Sequence, residues 1–188
     1  MRDLTYFVAV SLDGRIASPQ GAFDAFPVEG DHMAAIVTDW TDALPAPALT
    51  ALGLTPRLDR FDTVVMGYNT YAVGLPVGLT DPYPHLREFV FSRSAREAPE
   101  GVTVTDEDPV TVVRRLKAES GSGIWLCGGG QLAAVLADEI DRLVLKVNPV
   151  VLGDGLPLFA GEYQPRNFVL ERSTPYDSGV LISEYRRS

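Results

Sequence analysis

Residues 124–132, Ile124-Trp125-Leu126-Cys127-Gly128-Gly129-Gly130-Gln131-Leu132, constrain the fold more than any other stretch. An apolar run breaks into three glycines and resumes with helix-period residues, which predicts a strand, a tight turn and a helix over 130–137. Three consecutive residues without Cβ let the backbone approach a ligand closely, and the free N–H groups that open the helix suit an anion such as phosphate. The same glycines would equally allow the helix to pack tightly on its strand, and the stretch alone does not separate the two uses. Neither G-x-G-x-x-G nor a Walker A sequence is present, and no Lys-Ser or Lys-Thr follows the glycines.

The rest of the chain repeats this alternation. Leu4–Leu12 is an apolar, β-branched run ending at the turn pair Asp13-Gly14, and reads as a buried, central strand. Residues 31–43 and 47–53 look helical around Pro45 and Pro47, and 44–60 has the character of an insertion whose shape the pattern does not give. Phe61–Met66 is a second buried strand, Gly67 to Thr70 opens a short helix, and Gly74–Pro84 is a Gly/Pro-rich loop. Glu88–Phe91 is a strand ending at Ser92-Arg93-Ser94, and Asp108-Pro109 is a helix start leading into Val110–Glu119. Beyond 137 the pattern changes: Leu143–Val151 is strand-like, and Phe168–Ser173 pairs with Val180–Arg186 as a hairpin. The expectation is one α/β domain over 1–188, with a mixed, mostly parallel central sheet flanked by helices and an antiparallel C-terminal hairpin. The loops after Leu12, Met66, Phe91 and Cys127 then meet in one cleft at the carboxyl ends of the strands.

Composition narrows the partners. The 188 residues are 46% apolar and 22% charged, and no apolar stretch reaches the roughly 20 residues of a membrane helix. The N-terminus carries an acid beside its Arg and makes a poor secretion signal, so a reducing cytoplasm is expected. A net charge of −9, with basic pairs only at Arg114-Arg115 and Arg186-Arg187, argues against nucleic acid as partner. One cysteine, Cys127, excludes an intramolecular disulfide and a cysteine metal cluster, and His32 and His85 offer little for a zinc site.

Five segments, 8–17 with Ser11-Leu12-Asp13-Gly14, 65–71, 90–94, 128–132 and 152–159, occur in an order that resembles the dihydrofolate reductase-like fold, with its three-layer architecture. Their wording is most similar to the reductase domain of the bifunctional riboflavin-biosynthesis deaminase-reductase, here as a free-standing member. The resemblance implies NADPH-dependent hydride transfer to a pteridine- or pyrimidine-like heterocycle, and a homodimer formed around the C-terminal half. It places Ala9 and Ile16 at the nicotinamide carboxamide, Gly67 and Thr70 at the pyrophosphate with Tyr68 and Asn69 between them also on the cofactor, and Gly128, Gly129, Gly130, Gln131 and Leu132 at a second phosphate cradle. Tyr68 stands where the family usually has an arginine for the adenosine 2′-phosphate, so NADH is not excluded as cofactor. Arg93, between Ser92 and Ser94, could supply that charge, and Tyr68 could stack on the adenine. Cys127 reads as a small buried hydrophobe rather than a nucleophile.

For catalysis the candidates are Asp31, Glu29 and Lys146. A carboxylate in a closed cleft could pair with an amino-pyrimidine edge and favour protonation of the bond being reduced. Pro27-Val28-Glu29 falls like the family's Pro-x-Asp, whereas Asp31 precedes the apolar-periodic stretch 32–40 and could equally be its N-cap. Lys146, with Asn148 on the same strand face, could reach substrate or could lie on a solvated face. The segment 79–87 lacks the arginines expected to clamp a ribose phosphate, and no deaminase signature is present. A nucleotide-binding protein of the same fold without turnover is the alternative.

Overall fold

The computed structural model describes residues 1–94 and 96–188. The chain forms β1 (Leu4–Val10), β2 (Arg15–Ala17), α1 (His32–Asp39), α2 (Ala46–Leu52), β3 (Phe61–Gly67), α3 (Tyr68–Tyr71), β4 (Arg87–Phe91), β5 (Val102–Thr105), α4 (Pro109–Ala118), β6 (Gly123–Gly128), α5 (Gly130–Val135), β7 (Arg142–Val147), β8 (Leu156–Pro157), β9 (Phe168–Pro175) and β10 (Leu181–Arg187). Eight strands make one sheet in the order β5-β4-β3-β6-β1-β7-β10-β9, and β2 pairs with β8 in a separate ribbon. Strands β5 through β7 run parallel, and β10 is antiparallel to both β7 and β9. The mixed, mostly parallel sheet and the C-terminal hairpin are those expected from the sequence.

Alternation along the strands splits the core into two layers. One face carries Val64, Met66, Val90 and Trp125 against Ile36 and Trp40 of the α1 region and Leu49 of α2. The opposite face carries Tyr6, Val65, Ile124 and Leu126 against Val112, Val113 and Leu116 of α4 and Leu132 and Ala133 of α5. Helix α4 starts as its sequence requires: the Asp108 carboxylate accepts from the Thr111 N–H at 2.8 Å, and Pro109 takes the first helical position.

Several boundaries differ from expectation. Helix α1 ends at Asp39, Trp40 leaves helical geometry, and a 3-10 turn follows at Thr41–Ala43. Another 3-10 turn, Ala72–Val77, occupies the start of the expected Gly/Pro loop. Strands β5, β2 and β8 were not anticipated, and β7 stops at Val147, just ahead of Asn148-Pro149. The segment after α2 is shaped by Asp42, whose buried carboxylate accepts from the N–H groups of Arg57, Leu58, Arg60 and Phe61 at 2.7–3.2 Å.

Candidate functional site

The three-glycine turn lies where β6 ends, beside the end of β3. The Gly128–Gly129 peptide is cis. Across from it, a Cβ placed on Gly129 would meet only Thr70 Oγ1 at 3.5 Å and Ile16 Cδ1 at 3.9 Å, and one on Gly67 only the Gly128–Gly129 backbone at 3.9 Å or more. Gly67, Thr70, Ile16, Gly128 and Gly129 therefore face one another around a common gap. Gly130 is different: a Cβ there would strike the Pro157 carbonyl, so this glycine serves the packing of α5 under the 150s loop. Leu132, on the inner side of α5, is buried in the core, while Gln131 and Asn69 are exposed.

The order Ser11-Leu12-Asp13-Gly14 has a structural reason. Asp13 accepts from Ser11 Oγ at 2.5 Å and from the N–H groups of Leu152 and Gly153 at 3.1 and 2.8 Å, which ties the loop after β1 to the 150s loop. The Ser11 hydroxyl, first, and these backbone donors hold its pKa down to about 2.

Next to the gap, on the α1 face of the sheet, is a cavity of about 300 Å³. Phe7, Ala9, Trp125 and Cys127 form its sheet wall, Met33 and Ile36 of α1 with Val28 from the loop before it form the opposite wall, and among the described residues Lys146 is its only formally charged lining group. Lys146 stands opposite Ala9 in the β1–β7 ladder, and its Nζ donates to the Pro27 carbonyl at 3.2 Å. Burial lowers its pKa below the usual lysine value. Burial likewise pushes the Cys127 thiol up to about 12, which keeps it neutral and supports its reading as a small apolar group. Asn148 is spent on backbone, donating to the carbonyls of Val10 and Lys146 at 3.1 and 3.0 Å.

The two carboxylates lie apart from the cavity. Glu29 and Asp31 are both exposed and neither lines the cavity. Asp31 does not cap α1 through its side chain either; its oxygens accept from the N–H groups of Asp177 and Ser178 at 2.7 and 3.0 Å, in the β9–β10 turn. A surface carboxylate already holding two backbone donors is not placed to protonate a ligand in the cavity. What lies behind it is His32, with no solvent exposure, its Nδ1 3.0 Å from Ser178 Oγ. Burial, then Lys146, lowers the His32 pKa and keeps the ring neutral. A histidine just inside a helix start, beside an acid that the turn needs, was the available signal and was read only as scarce metal-ligand material.

At the third loop, Ser92 Oγ donates to the Ser94 carbonyl at 2.9 Å, so this hydroxyl serves its own turn. Arg93 is exposed. A second arginine was missed: the Arg96 guanidinium lies over the Tyr68 ring, 3.8 Å from its centre. This puts a cation beside the position where the sequence lacks one. Deeper on the same sheet face, Glu88 of β4 is 2% exposed with both oxygens unpartnered, and burial, then Asp81, raises its pKa to about 7.

The chain belongs to the RibD C-terminal domain family, which matches residues 2–182. It is 34% identical over 164 residues to the protein YwjB of Bacillus subtilis, covering 84% of this chain and 83% of that one. Among solved structures, a candidate riboflavin-biosynthesis protein from Shewanella sp. PV-4 superposes with a TM-score of 0.73 at 25% identity, over 100% of this chain and 99% of that chain. Dihydrofolate reductase from Enterococcus faecalis, solved with NADP(H), superposes with a TM-score of 0.66 at 14% identity, over 99% of this chain and 96% of that chain, and shares the fold. The protein is thus a reductase-type domain with the dihydrofolate reductase-like fold. No helix among the described residues is long and apolar enough to cross a membrane.

Proposed function

We propose that the protein is an NADPH-dependent reductase that delivers hydride to a pteridine- or pyrimidine-like heterocycle. The observation that carries this reading is the juxtaposition of the open glycine turn facing Thr70 with an apolar cavity that contains a single ammonium. The turn fits a dinucleotide: extended backbone at Gly129 and the open side of Gly67 leave N–H groups free of side-chain cover. Gly67, Thr70, Gly128 and Gly129 would hold the phosphates, and Ala9 and Ile16 the carboxamide. The bound cofactor supplies the hydride.

The chain's own residues do the rest. Phe7, Trp125 and Met33 offer flat and pliable apolar walls to a ring. Lys146 is the one lining side chain that is an acid at neutral pH with a lowered hold on its proton, and takes the role first sought in Glu29 and Asp31. The protein would work in the cytoplasm as a homodimer.

The location of both carboxylates outside the cavity favours one other reading, a nucleotide-binding protein without turnover. Cofactor binding followed by fluorescence, then NADPH oxidation with a panel of pterins, flavin precursors and quinonoid compounds, separates the two. Oxidation by one of them, abolished in Lys146→Met while NADPH still binds, is expected; binding without oxidation across the panel would assign the protein to the second reading.

A further inference from the structure

The cavity beside the glycine turn has a one-sided polar inventory. From α1 it is reached by Met33 and Ile36, which bring no acceptor, while Glu29 and Asp31 stay on the surface. On the sheet wall, the Trp125 indole N–H is spent on the Phe7 carbonyl at 3.0 Å. The Cys127 thiol is a weak partner of either kind. That leaves Lys146, whose ammonium carries three donors and no acceptor; one N–H goes to the Pro27 carbonyl at 3.2 Å, and two remain. Among the described residues, the side chains lining this cavity therefore offer strong donors and a positive charge, and none carries an oxygen that could receive a hydrogen bond.

Backbone adds little to that list. Strand β1 pairs with β6 through Leu4, Thr5 and Tyr6, which leaves the edge of β1 open beyond them. On that edge the Phe7 carbonyl already serves Trp125, and Ala9 is the position given above to the carboxamide. Donors on a bound ring would thus go unmatched, and each buried polar group without a partner costs roughly 5- to 150-fold in affinity. An amidine edge offers only N–H donors and, once protonated, a second positive charge; it needs a carboxylate to receive it.

We propose that the ring received here is a flat conjugated carbonyl compound, with its carbonyl oxygen on the Lys146 ammonium and its faces between Phe7 and Trp125 on one side and Met33 and Ile36 on the other, and that the cavity turns away the amidine edge of a diaminopyrimidine. This rests on the hydride-transfer reading above and narrows its substrate class. A volume of about 300 Å³, at the low end of the ~300–1,000 Å³ of ligand cavities, suits one or two fused rings. The ammonium also meets the negative charge that develops on the oxygen during reduction. In that step a hydride from the reduced nicotinamide adds to a ring carbon conjugated with the carbonyl, the π bond breaks with its electron pair passing to the oxygen, and Nζ gives that oxygen its proton. The nicotinamide ends oxidised, and the amine recovers its proton from water.

Two fused-ring probes of like size decide it in the protein without cofactor: chromone, whose polar edge is one conjugated carbonyl, and 2,4-diaminoquinazoline, which carries the amidine. Binding is read by calorimetry and by ¹³Cε-labelled lysine, which gives two signals, since Lys117 and Lys146 are the only lysines in the chain. Lys117, paired with Asp141 at 2.6 Å, is the internal control. Chromone should shift the Lys146 signal and leave that of Lys117 in place, bind more tightly than 2,4-diaminoquinazoline, and lose roughly 10- to 150-fold in Lys146→Met. Tighter or equal binding of the diamine, chromone binding that survives Lys146→Met unchanged, or no shift at Lys146 with either probe overturns the proposal. Chromone binding of the expected kind in a protein that oxidises NADPH with no member of the panel would leave this recognition standing and remove the hydride-transfer reading instead.

Discussion

Alanine at Gly129 isolates the cofactor from the fold. Gly129 has φ −100° and ψ −167°, extended backbone that any residue adopts, and its new Cβ would sit 3.5 Å from Thr70 Oγ1 and 3.9 Å from Ile16 Cδ1, ordinary contact distances. Folding therefore loses little, and the stiffer unfolded chain returns ~0.4–1 kcal/mol. The methyl does, however, stand in the gap proposed for a phosphate. Losing one hydrogen bond to a charged group costs ~1.5–3 kcal/mol, a roughly 10- to 150-fold rise in the Kd for NADPH. Gly130→Ala makes the opposite pattern, because its Cβ runs into the Pro157 carbonyl. Overpacking of ~1–3 kcal/mol there should lower Tm by several degrees, at about 2–4 °C per kcal/mol for a chain of this size. Fluorescence titration and calorimetry on both variants decide it. If Gly129→Ala melts like the wild type and binds NADPH equally well, the gap is not a phosphate site and the reasoning fails.

Cofactor choice is tested by Arg93→Ala, expected to weaken NADPH by roughly 10- to 150-fold while leaving NADH nearly unchanged, with Arg96→Ala in parallel because its guanidinium lies 3.8 Å over Tyr68. The variant that separates the cofactors names the arginine; equal effects on both cofactors in both variants would remove the 2′-phosphate from this loop. Glu88 makes stability pH-dependent. Its pKa rises from 4.5 to about 7 in the fold, so the native state holds the proton more tightly than the unfolded chain does. That stabilisation is full below the unfolded value and is lost as pH climbs through 7, a fall of about 3 kcal/mol. Denaturant unfolding at pH 5 and pH 8 should show this fall in the wild type and a much smaller one in Glu88→Gln; equal falls would mean that another group carries the dependence. The homodimer is checked by light scattering at micromolar concentration: β9 is an edge strand with Val169 and Leu170 58% and 52% exposed, and a mass near the 20.4 kDa of one chain would exclude pairing.

Elements were legible where the signal is local. Asp108-Pro109 announces α4 because an N-cap acid and a first-turn proline act within a few residues, and the hairpin β9–β10 is announced by two β-branched runs around a turn. Elements that depend on distant partners were not. Strand β2 is three residues long and exists because Arg15 and Ala17 pair with Pro157 and Leu156, while β5, four residues at the edge of the sheet, offers too short a period to read. The shape of 44–60 turns on Asp42, whose carboxylate collects four backbone N–H groups from 57–61. No propensity for those residues encodes a side chain that lies upstream of them.

The candidate site divides along the same line. The glycine turn was legible because glycine constrains backbone wherever it occurs, and Lys146 because strand alternation puts it on the face of Ala9, its ladder partner. Asp31 invited two local readings, helix cap or substrate carboxylate, and the structure satisfies neither. Its oxygens are claimed by Asp177 and Ser178, some 146 positions away in sequence, and two charge-assisted bonds to fixed N–H groups outweigh a single N-cap bond. Once that turn has taken the carboxylate, His32 is left with one ring nitrogen on Ser178 and one facing inward. The proton donor proposed for the cavity then comes from β7, whose Lys146 is the charged side chain lining it among the described residues.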